Sequence, residues 1–223
     1  MVSPHIAGAL RWPLLLVVAD LAYVGDEARW LELIREVSSA SLGAPVAIQV
    51  RAKTLEGDTW RDAVTRAREA IQAGVPALLN GDEATASALG YDGVHWPEAR
   101  VPARASKLTR WRSAAVHGEP SLRAAERADV DYAVFGSVFE PGSKPGTGAG
   151  LDALRGICAT SSVPVVAIGG ITPERAADCI AVGARGVAVV SGVLGATSPG
   201  AAIEAYVRAL GSVPATAGEG GMR

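Results

Sequence analysis

Short apolar runs alternate along the chain with longer segments in which apolar residues recur at helical spacing. This alternation is typical of β-strand–α-helix units whose strands form a parallel sheet. The pattern predicts eight strands, at Leu14–Ala19, Val46–Arg51, Ala77–Asn80, Gly93–Trp96, Ser113–His117, Tyr132–Gly136, Val165–Gly169 and Val187–Ser191. It predicts helices at Asp26–Ser39, Thr59–Ala73, Asp82–Leu89, Pro120–Ala128, Asp152–Ala159, Pro173–Val182 and Pro199–Leu210, with a weak helix or single turn within Pro102–Thr109.

Eight strands in this order could close into a barrel or lie in an open, doubly wound sheet. The repeat is even and no break in strand order is evident, so the pattern favours closure. We therefore predict an α/β fold in which residues 13–211 form a single (β/α)₈ TIM barrel. Residues 1–12 are expected to be a flexible N-terminal segment, and residues 212–223 a disordered C-terminal tail.

The composition and net charge argue against several classes of protein. The chain has 223 residues, of which 49% are hydrophobic, and its net charge of −2 argues against nucleic acid or an anionic membrane as the main partner. No apolar run approaches the ~20 residues that a membrane helix needs, and no secretory signal is visible. We expect a cytoplasmic protein with reduced thiols at Cys158 and Cys179, and the sequence leaves open whether it forms a homo-oligomer.

Glycines follow the last two predicted strands, where a parallel barrel places its active site. Gly169 and Gly170 precede one helix, and Ser191 and Gly192 precede another. Glycine amides at the start of a helix can bind an anion, which predicts a phosphate site, although the same glycines could simply form tight turns. Lys144 lies on a long loop and could close over the phosphate, or could be an ordinary solvated lysine.

Two histidines, His95 and His117, end the fourth and fifth predicted strands. Each could be a packed, hydrogen-bonded side chain, or could transfer a proton, since the ordinary pKa of histidine is ~6.5. No third cysteine, histidine or acid accompanies the pair at the spacing of a zinc site, so we predict that the pair does not bind zinc.

Several motifs together carry a resemblance to a known family. Residues 131–139 read DYAVFGSVF, residues 164–173 read PVVAIGGITP, and residues 186–192 read GVAVVSG. Upstream motifs are QVRAK at 49–53, LN at 79–80 and GVH at 93–95. Over residues 13–210 the chain resembles the thiamine phosphate synthase superfamily, which implies a barrel with a phosphate site.

One branch of this superfamily joins a pyrimidine pyrophosphate to a thiazole phosphate and uses Mg²⁺. The resemblance places two of its magnesium-binding aspartates at positions that hold Gly81 and Arg100 here. A guanidinium repels a cation, whereas Mg²⁺ requires oxygen ligands. Ala115 and the loop at Ser143–Lys144 also depart from the synthase pattern.

The other branch, the TenI-type thiazole tautomerase, is similar in its Asn-Gly after strand three and its Val-His at the end of strand five. The resemblance implies a metal-independent isomerase of thiamine biosynthesis that aromatises a carboxythiazole phosphate without a cofactor, with His117 as general base and acid. We expect Gly169, Gly170, Ser191, Gly192 and Lys144 to bind the substrate phosphate, and Gln49, Arg51, Lys53, Asn80 and His95 to contact the rest of the substrate. The alternatives are a thiamine phosphate synthase with a displaced metal site and a non-catalytic thiazole- or thiamine-phosphate-binding protein.

Overall fold

A computed structural model of the chain describes residues 10–12, 14–140 and 148–211. Eight parallel strands follow one another around a closed barrel, and β1 pairs with both β2 and β8. The strands are β1 Leu14–Asp20, β2 Val46–Arg51, β3 Ala77–Asn80, β4 Gly93–Trp96, β5 Trp111–Val116, β6 Tyr132–Gly136, β7 Val165–Ile168 and β8 Gly186–Val189. The predicted (β/α)₈ barrel is therefore confirmed, and the open sheet is excluded.

Helices cover the outside of this barrel. They are α1 Leu21–Val24, α2 Glu27–Ser41, α3 Gly57–Ala70, α4 Glu83–Ala88, α5 Glu119–Arg127, α6 Gly150–Thr160, α7 Pro173–Ala181, α8 Ser191–Leu194 and α9 Pro199–Gly211, with a 3₁₀ turn at Glu98–Arg100. At the beginning of α7, the Thr172 side chain accepts a hydrogen bond from the Arg175 amide and so caps the helix.

The strands are apolar on both faces because each face is buried. On β1, Leu14 and Leu16 belong to a core inside the barrel, whereas Leu15 and Val17 pack towards the surrounding helices. Side chains alternate between the two faces of a strand, so a strand of a parallel barrel reads as an almost continuous apolar run. This continuous apolar pattern is what makes the strands predictable from the sequence.

Short elements differ from the prediction. Residues 102–109 contain no helix, and the only turn of helix between β4 and β5 is the one at Glu98–Arg100. The buried Glu83 carboxylate accepts hydrogen bonds from the amides of Ser106 and Leu108, so a side chain far along the sequence holds this loop in a non-helical form. At β8, the strand ends at Val189, and Ser191 begins α8 instead of ending the strand.

Of the segment predicted to be flexible, residues 10–12 are described. Leu10 is buried, and the Trp12 ring lies edge-on to Tyr132 with 5.9 Å between centroids. Residues 1–9, the tail at 212–223 and the loop at 141–147, which contains Lys144, lie outside the described residues. Within the described part, both cysteines are free, and none of the helices is long and apolar enough to cross a membrane.

Candidate active site

A cavity of about 1150 Å³ opens at the carboxyl ends of the strands. Its walls include residues from every part of the barrel, from Asp20 at the end of β1 to Val190 just after β8. This cavity brings together six of the predicted site residues, namely Gln49, Arg51, Lys53, Asn80, His95 and His117. The closed topology explains the convergence, since the ends of parallel strands meet at one rim.

An ion pair forms between β1 and β2 at the floor of the cavity. Strand register places Asp20 beside Arg51, and the guanidinium contacts Asp20 Oδ2. The other carboxylate oxygen, Oδ1, accepts a hydrogen bond from the Ala22 amide and caps α1. The Arg51 charge is thus largely neutralised by a protein carboxylate, which the sequence analysis did not anticipate.

His95 is a buried, neutral side chain. Its exposed fraction is 5%, and its Nδ1 lies 2.9 Å from Ser113 Oγ on the neighbouring strand β5. Burial, with a smaller contribution from the Arg51 charge, lowers the pKa of His95 to about 3. The imidazole can therefore donate or accept a hydrogen bond to a ligand near neutral pH, but it is not a source of positive charge there.

His117 lies just beyond β5 at the exposed rim, where it meets an acid. Its Nδ1 is 2.5 Å from Glu98 Oε2, on the 3₁₀ turn that follows β4. Hydrogen bonds from Ser121 and from His117 hold the pKa of the Glu98 carboxyl below its usual range, although burial opposes this shift. With Nδ1 engaged by Glu98, Nε2 is the ring nitrogen that remains for a ligand.

The sequence-based prediction of the site did not include Glu98, the partner of His117. The two residues lie 19 positions apart, and only the pairing of β4 with β5 brings their loops together. The sequence does contain a usable signal, because both residues lie within two positions of the ends of consecutive strands, and consecutive strands are neighbours in a barrel of this topology.

The two positions that the resemblance assigns to magnesium ligands do not fit a magnesium ion. A Cβ placed on Gly81 would lie 3.2 Å from Trp60 Cζ2, so a side chain there would require the indole to shift by a few tenths of an ångström. Arg100 lies exposed at the cavity wall and contributes positive charge. Mg²⁺ prefers carboxylate and other oxygen ligands, and neither position supplies one.

Other acids of the cavity wall are mostly engaged elsewhere. Asp82 Oδ1 caps α4 by accepting from the Thr85 amide at 2.8 Å, and Glu83 holds the loop after the 3₁₀ turn. Glu56 is an exposed single carboxylate at the start of α3. Within residues 10–12, 14–140 and 148–211, no cluster of three or more histidine, cysteine or acidic side chains is arranged to hold a metal.

Beside the cavity, the loops after β7 and β8 carry the glycines that were predicted to bind phosphate. Gly170 has a φ of +59°, and a Cβ there would lie 2.5 Å from the Glu140 carbonyl oxygen, so the loop requires glycine. Gly192 has equally little room, because a Cβ would lie 2.1 Å from the Tyr206 hydroxyl, which donates to the Ile171 carbonyl.

Among the described residues, no protein acceptor lies opposite the N–H groups of Gly169, Gly170, Ser191 and Gly192. The cavity wall itself includes the adjoining residues Ile168 and Val190 but none of these four. The structure therefore places the four amides at the neighbouring ends of β7 and β8, at the edge of the cavity.

Known proteins share both the sequence and the fold. A profile of the thiamine monophosphate synthase family matches residues 17–193. A thiamine-phosphate synthase of Moorella thermoacetica is 36% identical over 199 residues, which covers 86% of this chain and 92% of that protein. A thiamine biosynthesis bifunctional protein of Symbiobacterium thermophilum is 40% identical over 75% of this chain, which spans only 37% of that longer relative.

Among solved structures, thiamine phosphate pyrophosphorylase from Pyrococcus furiosus superposes with a TM-score of 0.74 at 27% identity, covering 89% of this chain and 95% of that one. Relatives at 35 to 39% identity are thus named as thiamine-phosphate synthases. The expectation of a thiazole tautomerase, an isomerase, is wrong on this comparison.

Proposed function

The chain belongs to the thiamine monophosphate synthase family, and from this premise we propose that it is a transferase that joins a pyrimidine pyrophosphate to a thiazole phosphate. The observation that carries the proposal is the 36% identity to the Moorella thermoacetica synthase over nearly the whole length of both chains. The product is thiamine phosphate, and the diphosphate of the pyrimidine substrate is released.

The thiazole phosphate is proposed to bind at the ends of β7 and β8. Among the described residues, no protein acceptor engages the N–H groups of Gly169, Gly170, Ser191 and Gly192, so these amides can donate to a phosphate. Lys144 remains a sequence-based candidate for this phosphate. Such a site orients the thiazole ring towards the central cavity, where the second substrate would lie.

The pyrimidine substrate is proposed to occupy the central cavity. Gln49 is buried at its floor, and its Oε1 atom has no hydrogen-bond partner among the described residues, so it can accept a bond from a ligand donor. A buried polar atom without a partner costs free energy, which a pyrimidine amino group would recover. Asn80 and the neutral His95 provide further uncharged polar groups in the same wall.

The test is direct: the protein is incubated with both substrates, and thiamine phosphate is detected by chromatography and mass spectrometry. Each substrate alone, and the thiazole alcohol without its phosphate, serve as matched controls. We expect product from the complete pair and a KM for the alcohol raised at least about tenfold, because charge-assisted hydrogen bonds to the phosphate are lost. No product from the complete pair, with or without added Mg²⁺, would refute the proposal.

A further inference from the structure

Charge at the cavity wall is distributed in an unexpected way for a site that handles a diphosphate. Where the resemblance leads one to expect a carboxylate that binds a metal ion, Arg100 presents a guanidinium. A guanidinium stays charged at any physiological pH, and its planar set of donors matches pairs of phosphate oxygens. This residue can therefore meet the diphosphate itself instead of a metal that bridges to it.

The cationic side chains of the cavity wall differ in their exposure and in whether an acidic side chain already pairs with them. Arg51 is paired with Asp20, and its side chain is 29% exposed. Lys53 and Arg100 are both exposed, and neither forms an ion pair within the described part of the chain. Among the described residues that line the cavity, Lys53 and Arg100 therefore supply the positive charge that no acid pairs.

Three acids of the cavity wall already have protein partners. Glu98 contacts His117, Asp20 contacts Arg51, and Glu83 accepts several hydrogen bonds from one loop. Moving any of these three carboxylates to a metal would leave a charge or a donor without its partner, which is unfavourable. The donor set therefore favours an anion over a divalent cation.

We propose that Arg100, together with Lys53, binds the diphosphate of the pyrimidine substrate directly, so that the cavity takes up this group without a divalent metal ion. The inference rests on the proposed function and adds to it the means of binding the leaving group. In a synthase of this design, two protein cations replace the charge that a metal would supply.

The experiment uses inorganic pyrophosphate as the probe and isothermal titration calorimetry of the full chain. Wild-type protein is expected to bind pyrophosphate in EDTA, and Mg²⁺ is expected to weaken binding because it competes for the same oxygens. Arg100→Gln should weaken binding in EDTA about tenfold or more, as one charge-assisted contact is lost. Arg35→Gln, the same change on the exposed outer face of α2, should leave it unchanged.

A second variant tests whether a loss of pyrophosphate binding comes from the change in charge and not from misfolding. Arg100→Asp puts back an acid on an exposed turn, and its thermal melting is compared with that of wild type to confirm folding. We expect it to lose pyrophosphate binding in EDTA. Three results would each overturn the inference. They are wild-type binding that requires Mg²⁺, no pyrophosphate binding under either condition, and an affinity of Arg100→Gln equal to that of wild type.

The outcome can be separated from that of the proposed function. Pyrophosphate binding in EDTA without any thiamine phosphate formation would refute the transferase proposal and leave metal-free diphosphate binding standing. Product formation that stops in EDTA, together with loss of pyrophosphate binding there, would refute the inference alone. Product formation that continues in EDTA and falls in Arg100→Gln would support both.

Discussion

Acidification should weaken the folded barrel through one residue, His95. The imidazole is 5% exposed inside the closed barrel, bonded to Ser113, and its pKa is lowered to about 3. In the unfolded chain the same group titrates near ~6.5. Because the unfolded state takes up the proton first, stability is full above about pH 6.5 and falls as the pH drops from there towards the folded-state pKa.

The size of the effect follows from this difference. At about pH 5 the unfolded imidazole is almost fully protonated and the folded one is neutral, which lowers the free energy of unfolding by about 2 kcal/mol relative to about pH 8. A domain of this kind has a total stability of about 5–15 kcal/mol, so the loss is large enough to measure. It would disappear if His95 were replaced by a group that does not titrate.

Urea unfolding of wild type and His95→Asn, at about pH 8, 6.5 and 5, provides the assay. Asparagine keeps a polar atom near the position of Nδ1 for the bond to Ser113, and any constant cost of the substitution cancels when the pH dependence is compared. The variant should lose about 2 kcal/mol less than wild type over this range. Equal pH dependence in both proteins, or an NMR titration of the His95 ring near pH 6.5, would show that the reasoning is wrong.

Two other predictions concern contacts at the rim. The Glu98 carboxyl should titrate below its usual range in ¹³C NMR, and Ser121→Ala should raise its pKa more than His117→Gln does; the reverse order would contradict the hydrogen-bond assignment. Gly192→Ala should lower the free energy of unfolding by about 1–3 kcal/mol, because its Cβ would overlap the Tyr206 hydroxyl. Adding Tyr206→Phe should recover part of that loss in chemical denaturation, and strictly additive effects would argue against this clash.

The sequence by itself determined the architecture and the general location of the site. Apolar runs of strand length, separated by amphipathic helices, specify parallel βα units, and this pattern is local enough to read along the chain. The same pattern placed Asn80 and His95 at strand ends, and the barrel brings them to one cavity. The sequence also shows that Gly81 and Arg100 depart from the synthase pattern. These departures indicate which contacts are lost but not which reaction the protein catalyses. The prediction of an isomerase was wrong for this reason.

Only the tertiary structure decided how charges are paired within that site. Asp20 meets Arg51, and Glu98 meets His117, through strand pairing between segments that are 31 and 19 residues apart in sequence. Burial, which sets the pKa of His95, likewise depends on the whole barrel and on no local pattern. Such pairings depend on distances of a few ångströms between side chains, and periodicity along one chain carries no information at that scale.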